Sequence, residues 1–271
     1  MLVATSLPQP WQCTVRGVVQ HLLVARADPV RILSNANDGH GVDTMKSALV
    51  VGASRGLGFG LVREHLVRGW RITATVRTPS AELEALRAGA DGLLVIETLD
   101  ITQPAQAAEL AARLSEHTFD LLFLNAGIMV GRTMPLRDIP DGDISTIFLT
   151  NAISPIRVAD ALLGSVKPGG MIVFMSSILG SIGTNDDGRA ELYRASKAAL
   201  NSLFRSFRAR HARADLTMLA LHPGVVRTSM GGPNAPIDIE TSMRGVADVI
   251  AARWGSGGQA FVNYRNEIIP W

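Results

Sequence analysis

From Met45 onward, short apolar runs alternate with longer amphipathic stretches. KSALVVG, RITATVR, GLLVIETLD, FDLLFLNAG, GGMIVFMSS, LTMLALHPG and QAFVNY read as strands, because an apolar run of about four to eight residues bounded by turn formers suits a strand covered on both faces. Between them lie six stretches with helical spacing. In LGFGLVREHLVRG, Leu57, Leu61, Val62 and Leu66 share one face and Gly69 supplies the stop. SAELEALRAG follows, then ITQPAQAAELAARLSEH, entered through Thr102 with Pro104 in its first turn. One long helix is expected from Asp141 to Leu163, and two more over ELYRASKAALNSLFRSFRARH and IDIETSMRGVADVIAARW. Seven strands alternating with six helices, without an internal repeat, predict a doubly wound α/β fold: a seven-stranded, mostly parallel sheet with helices on both faces. Ligands of such sheets bind at the carboxyl ends of the strands.

The pattern fails before residue 45. Residues 1–44 hold Pro8, Pro10, Pro29 and the polar stretch NANDGHGVD without a sustained period, and are expected to lie outside a single domain of residues 45–271. Two readings stand: Met45 is the true start, or the extension is a loose arm that packs on the domain. Its apolar patch from Val18 to Ala25 is interrupted at the start by Arg16 and His21, and its three Arg are matched by three Asp, unlike a secretory or transit segment. No apolar run nears the ~20 residues that span a bilayer, so a soluble, cytoplasmic protein without a membrane partner is expected.

Composition narrows the chemistry. Of 271 residues, 47% are hydrophobic and 18% charged, the make-up of a chain with a packed core. The single Cys13 excludes an intrachain disulfide, a four-cysteine zinc site and a CxxC redox pair, and fits a reducing compartment. No metal site is predicted. The net charge is +2 and the 23 Arg are scattered, so nothing argues for nucleic acid as a partner.

Directly after the first strand stands VVGASRGLG, with Gly52, Gly56 and Gly58 leading into a helix and Ser54, Arg55 and Leu57 between them. Side chains must be absent where backbone meets a pyrophosphate, and the helix N-terminus then offers unpaired N–H groups and a positive dipole end. An acid at the end of the second strand would hold a ribose 2′-hydroxyl, whereas an Arg accommodates a 2′-phosphate. Here ITATV ends in Arg77, and Arg55 lies inside the loop. Two guanidinium groups near one phosphate suit bidentate recognition, which selects NADP(H) over NAD(H).

Tyr193 and Lys197 stand four residues apart, on one helical face. A phenol, with its pKa of ~10, is a poor acid at neutral pH, and a neighbouring ammonium lowers that value and makes it a usable proton donor and acceptor. The chain has only two Tyr and three Lys, so chance supplies about 0.02 such pairs.

The loop GxxxGxG, LNAG at Leu124–Gly127, SSILGS around Ser177, YRASK and HPGVVRT at His222–Thr228 together resemble the short-chain dehydrogenase/reductase superfamily, in its order and spacing over residues 45–271. MGGPNAP and the ending Pro270-Trp271 are similar to its C-factor-like branch, whose members include reductases and signalling proteins. The resemblance implies a Rossmann-type fold and assigns roles. Tyr193 is the general acid in carbonyl reduction and the base in alcohol oxidation. Lys197 lowers its pKa and holds the nicotinamide ribose. Ser177 holds the substrate oxygen, and Asn151 anchors a water that relays protons to Lys197. Asp100 meets the adenine amino group, Asn125, Ala126 and Gly127 line the adenine ribose, and Pro223, Gly224, Val226 and Thr228 hold the nicotinamide. His222 is expected to be a packed loop residue. Homodimers or homotetramers are implied, built on the helices starting near Asp141 and Glu191.

Two features depart from the family pattern. Val51 stands where a Thr usually braces the glycine loop, and the gap of 16 positions from Ser177 to Tyr193 contains the polar TNDDGRAE, expected as a loop beside the substrate. The implied activity is an NADP(H)-dependent oxidoreductase acting on a small-molecule carbonyl or secondary alcohol. The alternative is a dinucleotide-binding signalling protein with incidental turnover. A hydrolase using Ser177 lacks both a nucleophile elbow and a placed His.

Overall fold

The computed structural model describes residues 45–211 and 213–271; the extension, with both readings of it, lies outside the described residues. The strands are β1 (Ser47–Val51), β2 (Arg71–Val76), β3 (Leu94–Thr98), β4 (Phe119–Leu124), β5 (Val166–Met175), β6 (Thr217–His222) and β7 (Gln259–Asn263). They form one sheet in the order β3-β2-β1-β4-β5-β6-β7, and every pairing is parallel. The strand order therefore reverses between β1 and β4, which opens a crevice at their carboxyl ends. The helices are α1 (Gly56–Val67), α2 (Ala81–Ala88), α3 (Pro104–Arg113), α4 (Asp141–Phe148), α5 (Ser154–Leu162), α6 (Glu191–Arg210) and α7 (Ile239–Ala252).

Strand residues alternate between the two faces, so each face has its own core. Ala48 and Val50 join Leu61, Leu66, Met243, Val246 and Ile250 of α1 and α7. Leu49 and Val51 join Leu110, Val158, Leu162, Leu200 and Phe204 of α3, α5 and α6. On that second face Phe174 meets Phe204 and Phe207 edge-on, with ring centroids 5.5 and 5.9 Å apart. Trp271 stacks on Phe204 and Phe261 at 5.9 and 5.4 Å.

Two expectations need correction. The helix predicted from Asp141 to Leu163 is α4 and α5 joined by a wide π turn at Leu149–Ile153, whose middle residue is Asn151. The run Asp141–Ser165 also holds a window of mean hydropathy 1.2, long and apolar enough by itself to cross a membrane. Half of that window is buried, with α5 against α3 and α6, so it is a core helix. Second, α3 starts at Pro104, and Thr102 does not cap it: its N–H and hydroxyl both donate to Asp100 Oδ1, at 2.9 and 2.7 Å.

Candidate active site

The carboxyl ends of β1, β4, β5 and β6 surround an open cavity of about 1080 Å³. At one end the chain leaves β1 through Gly52, whose φ of +89° is open to glycine and strained for other residues. A Cβ there would lie 2.8 Å from the Cβ of Ala126, and a Cβ on Gly58 would lie 2.1 Å from the Gly52 carbonyl oxygen. Glycine is thus needed for the loop to close against the β4 end. The Gly52 N–H donates to the hydroxyl and the carbonyl of Thr75, both at 3.2 Å, and the Ala53 N–H to the same carbonyl at 2.8 Å. Thr75, across the sheet on β2, supplies the hydroxyl brace that Val51 cannot.

Beyond the loop, α1 begins after Arg55 with no side-chain cap and no acid in its first turn. Its unpaired N–H groups and positive dipole end are left for an anion. Arg55 and Arg77 line the same end of the cavity, are exposed, and form no ion pair among the described residues. Ser54 and Leu57 also line it, and the Ser54 carbonyl accepts from Ser80, the cap of α2, at 2.7 Å. Asp100 lines the wall too, with Oδ1 taken by Thr102.

Asn125, Ala126 and Gly127 line the middle. Asn125 is chiefly a brace, because its Nδ2 donates to the Gly52 carbonyl at 2.7 Å. A Cβ on Gly127 would come within 3.3 Å of Asn151 Oδ1 and 3.5 Å of Lys197 Nζ. Gly56, Gly58 and Asn151 do not line the cavity. Asn151 is fully buried behind it: Oδ1 accepts from Ile128 N at 2.8 Å, and Nδ2 donates to Ile128 O at 2.8 Å and Ser196 Oγ at 3.1 Å. Its side chain fastens the β4 exit to α6, so any contact with a relay water falls to its main chain.

Ser177, Tyr193 and Lys197 meet at the far end, beside Pro223, Gly224, Val226 and Thr228. The neighbouring serines divide their work. Ser176 Oγ donates to Asn201 Oδ1 at 2.6 Å in the interior, whereas Ser177 Oγ accepts from Leu179 N at 3.1 Å, which orients the hydroxyl in the cavity wall. Lys197 Nζ donates to the Met175 carbonyl at 2.9 Å, and burial brings its pKa down to about 8. Burial outweighs the expected downward pull of Lys197 on Tyr193. Nζ lies 5.9 Å from the ring centroid, and burial raises the phenol to about 12 while the Ser177 hydroxyl pulls the other way.

His222 is more than a packed loop residue. It lines the cavity, its Nδ1 is buried without a hydrogen-bond partner among the described residues, and burial lowers its pKa to about 4. Sequence reasoning also missed the apolar chamber beside Tyr193, walled by Ile128, Met129, Met134, Leu179 and Met230. These residues come from three loops, and no local pattern joins them.

A wholly parallel sheet with a glycine loop at its switch point, and a phenol and an amine deeper in the same cleft, is the framework of a dinucleotide-dependent oxidoreductase. Residues 46–236 match the family model described as short chain dehydrogenase, and the chain belongs to that family. It is 36% identical over 154 residues to C-signal of Myxococcus xanthus, covering 56% of this chain and 92% of that protein, in keeping with the C-factor-like resemblance. A Burkholderia multivorans short-chain dehydrogenase/reductase crystallised with NADP shares 46% identity at a TM-score of 0.82, over 84% of this chain and all of that one. A carbonyl reductase from Pseudomonas aeruginosa in complex with NADP shares 40% at 0.79, over the same fractions.

Proposed function

We propose that residues 45–271 form a single NADP(H)-dependent carbonyl reductase domain, which reduces a small to medium aldehyde or ketone with an apolar substituent and oxidises the matching secondary alcohol. The observation that carries this is the sharing of one cavity by the glycine loop with Arg55 and Arg77 at one end and by Ser177, Tyr193 and Lys197 at the other. The residues present fit a dinucleotide: α1 starts uncapped, and the loop and Gly127 leave backbone space that a Cβ would fill. Gly52, Ser54, Arg55, Leu57 and Arg77 would hold the phosphates, Asp100 and Asn125–Gly127 the adenosine, and Pro223, Gly224, Val226 and Thr228 the nicotinamide, which when bound supplies the hydride.

The chain's own groups do the rest. The Ser177 hydroxyl donates a hydrogen bond to the substrate oxygen and fixes its position. Negative charge grows on that oxygen during reduction, and the Tyr193 hydroxyl transfers its proton to it. A neutral phenol is the form needed for this step, and burial keeps Tyr193 protonated across the neutral range. Lys197, whose Nζ lies 5.9 Å from the ring centroid, stabilises the tyrosinate left behind. The apolar chamber receives the substituent and keeps water from the reacting carbonyl. Methionines at three of its positions suit a range of shapes.

Following NADPH absorbance over a panel of aldehydes and ketones tests this reading. Tyr193→Phe retains cofactor binding and loses turnover; turnover equal to wild type dismisses the mechanism. A wild type that prefers NADH, or an Arg77→Asp variant with unchanged preference, removes the assignment to NADP(H). The likeness to C-signal favours a second reading, a dinucleotide-binding signalling protein. It predicts that Tyr193→Phe keeps the biological effect. We further infer a cytoplasmic homodimer or homotetramer, supported by the single cysteine and the family; light scattering reads the mass.

A further inference from the structure

The first turn of α6 carries Tyr193 and, beside it, a buried guanidinium that the mechanism above does not use. Arg194 is only 7% exposed. Its Nη2 donates to Asp187 Oδ1 at 2.6 Å and its Nε to the Arg189 carbonyl at 2.8 Å, while Nη1 is buried with no partner among the described residues. On stability grounds the placement is poor. A cation in the first turn opposes the helix dipole, and a desolvated guanidinium costs more than one exposed ion-pair partner returns. Backbone strain lies at the same joint, for Ala190, which precedes α6, is held at φ +57° and ψ +45°, a left-handed conformation unfavourable for a residue with a Cβ.

These costs fall on a segment that walls the cavity. Asp187, Gly188, Arg189 and Ala190 all line it, in the polar loop between Ser177 and Tyr193. The loop has further anchors at its other end, where Trp271 O accepts from Ile182 N at 2.8 Å and Asn201 Nδ2 donates to Gly180 O at 3.1 Å. Across the mouth, Glu191 Oε2 accepts from Leu136 N at 3.1 Å, which ties the loop after β4 to the same helical turn. Asp187 stays ionised at any working pH, because hydrogen bonds from the Arg189 side chain and backbone, and then from Arg194, lower its pKa to about 2.

We propose that Arg194 is a positioning residue that latches the 184–190 loop to the turn bearing Tyr193, and that this latch shapes the substrate chamber and sets which carbonyl substituents it accepts. The proposal rests on the carbonyl reductase reading for its substrate, but the latch can be read without turnover.

Arg189 is the scissile residue for trypsin in this loop, and its side chain is 85% exposed. Arg194→Met keeps an unbranched apolar stem and removes both donors; Asp187→Asn, at the partly exposed partner, is the milder second variant should the first fail to fold. Both are expected to cut at Arg189 at least tenfold faster than wild type. With the best carbonyl found for wild type, KM is expected to rise tenfold or more, with kcat within threefold and the NADPH Kd within twofold. Arg194→Lys, which can reach one partner but not both, should fall between. Unchanged cleavage and KM in both variants overturn the latch, as does a loss confined to kcat. Faster cleavage in proteins for which no carbonyl is turned over even by wild type would keep the latch and overturn the substrate reading instead.

Discussion

Acidification from pH 7 to pH 5 should remove a large part of the stability of this protein through two buried imidazoles. His65 on α1 is 1% exposed, contacts the Leu61 carbonyl through Nδ1 at 3.0 Å and meets Trp70 edge-on with centroids 4.9 Å apart. Burial lowers its pKa from 6.5 to about 4, and His222 falls by a similar amount for the same reason. A group whose folded pKa is depressed contributes stability that is present above its unfolded pKa and lost as pH falls towards the folded one. At pH 5 the unfolded imidazole is almost fully protonated and the folded one is not, so each histidine costs about 1.8 kcal/mol relative to pH 7 and the pair about 4 kcal/mol. That is a quarter or more of the ~5–15 kcal/mol typical of a domain. Tyr193 is raised and Lys197 stays near 8, so both keep their protons from pH 7 to 5, and the carboxyls with depressed values, among them Asp120, titrate lower still. Urea unfolding at pH 7 and 5 measures the loss, and His65→Phe, which keeps a ring against Trp70, should halve it. A wild type equally stable at both values, or a variant with the wild-type slope, would refute the reasoning.

Other substitutions probe the framework and the site. Phe204→Ala removes a ring with no exposed surface from the cluster of Phe174 and Trp271 and should cost about 3–5 kcal/mol in chemical denaturation. Gly58→Ala drives a Cβ into the Gly52 carbonyl at 2.1 Å; cofactor affinity by fluorescence titration should fall at least tenfold, and an unchanged Kd argues against close packing of the loop. The two serines should separate cleanly. Ser176→Ala strands the buried Asn201 Oδ1 and should lose about 1–3 kcal/mol of stability with kcat little changed, whereas Ser177→Ala should lower kcat at wild-type melting temperature. The opposite pattern would reassign the hydroxyl that holds the substrate.

Local periodicity made the framework legible. Six of the seven strands fall within their apolar runs, β5 starting three residues early at Val166, and Ser80 and Gly69 sit at the helix ends where their chemistry places them, as cap of α2 and as the left-handed glycine just past α1. The Tyr193–Lys197 pair and the glycine loop were legible for the same reason, since each is a short motif on one element. What escaped was set at a distance. Nothing near Val51 announces that Thr75, on another strand, will brace Gly52. The π turn at Asn151 follows from satisfying that amide against Ile128 and Ser196, groups 23 and 45 residues away. The phenol of Tyr193 was expected low because Lys197 is near in sequence, yet its pKa is governed by burial, which depends on every wall of the cavity at once.

The strand order also fixes when a nascent chain can become competent. β1 lies beside β4, about seventy residues further along, so the crevice cannot open until roughly the first third of the domain, through Leu124, has left the ribosome. The sheet then grows outward in one direction, through β5 and β6 to β7, and α6 can seat only once β5 is paired and β6 follows to cover it. The groups proposed for the phosphates and the adenosine are therefore in place before the proposed proton donor Tyr193, and those proposed for the nicotinamide only after it. A ribosome stalled after β4 would display the glycine loop without its chemistry, and the reactive end of the cleft is among the last parts of the fold to be made.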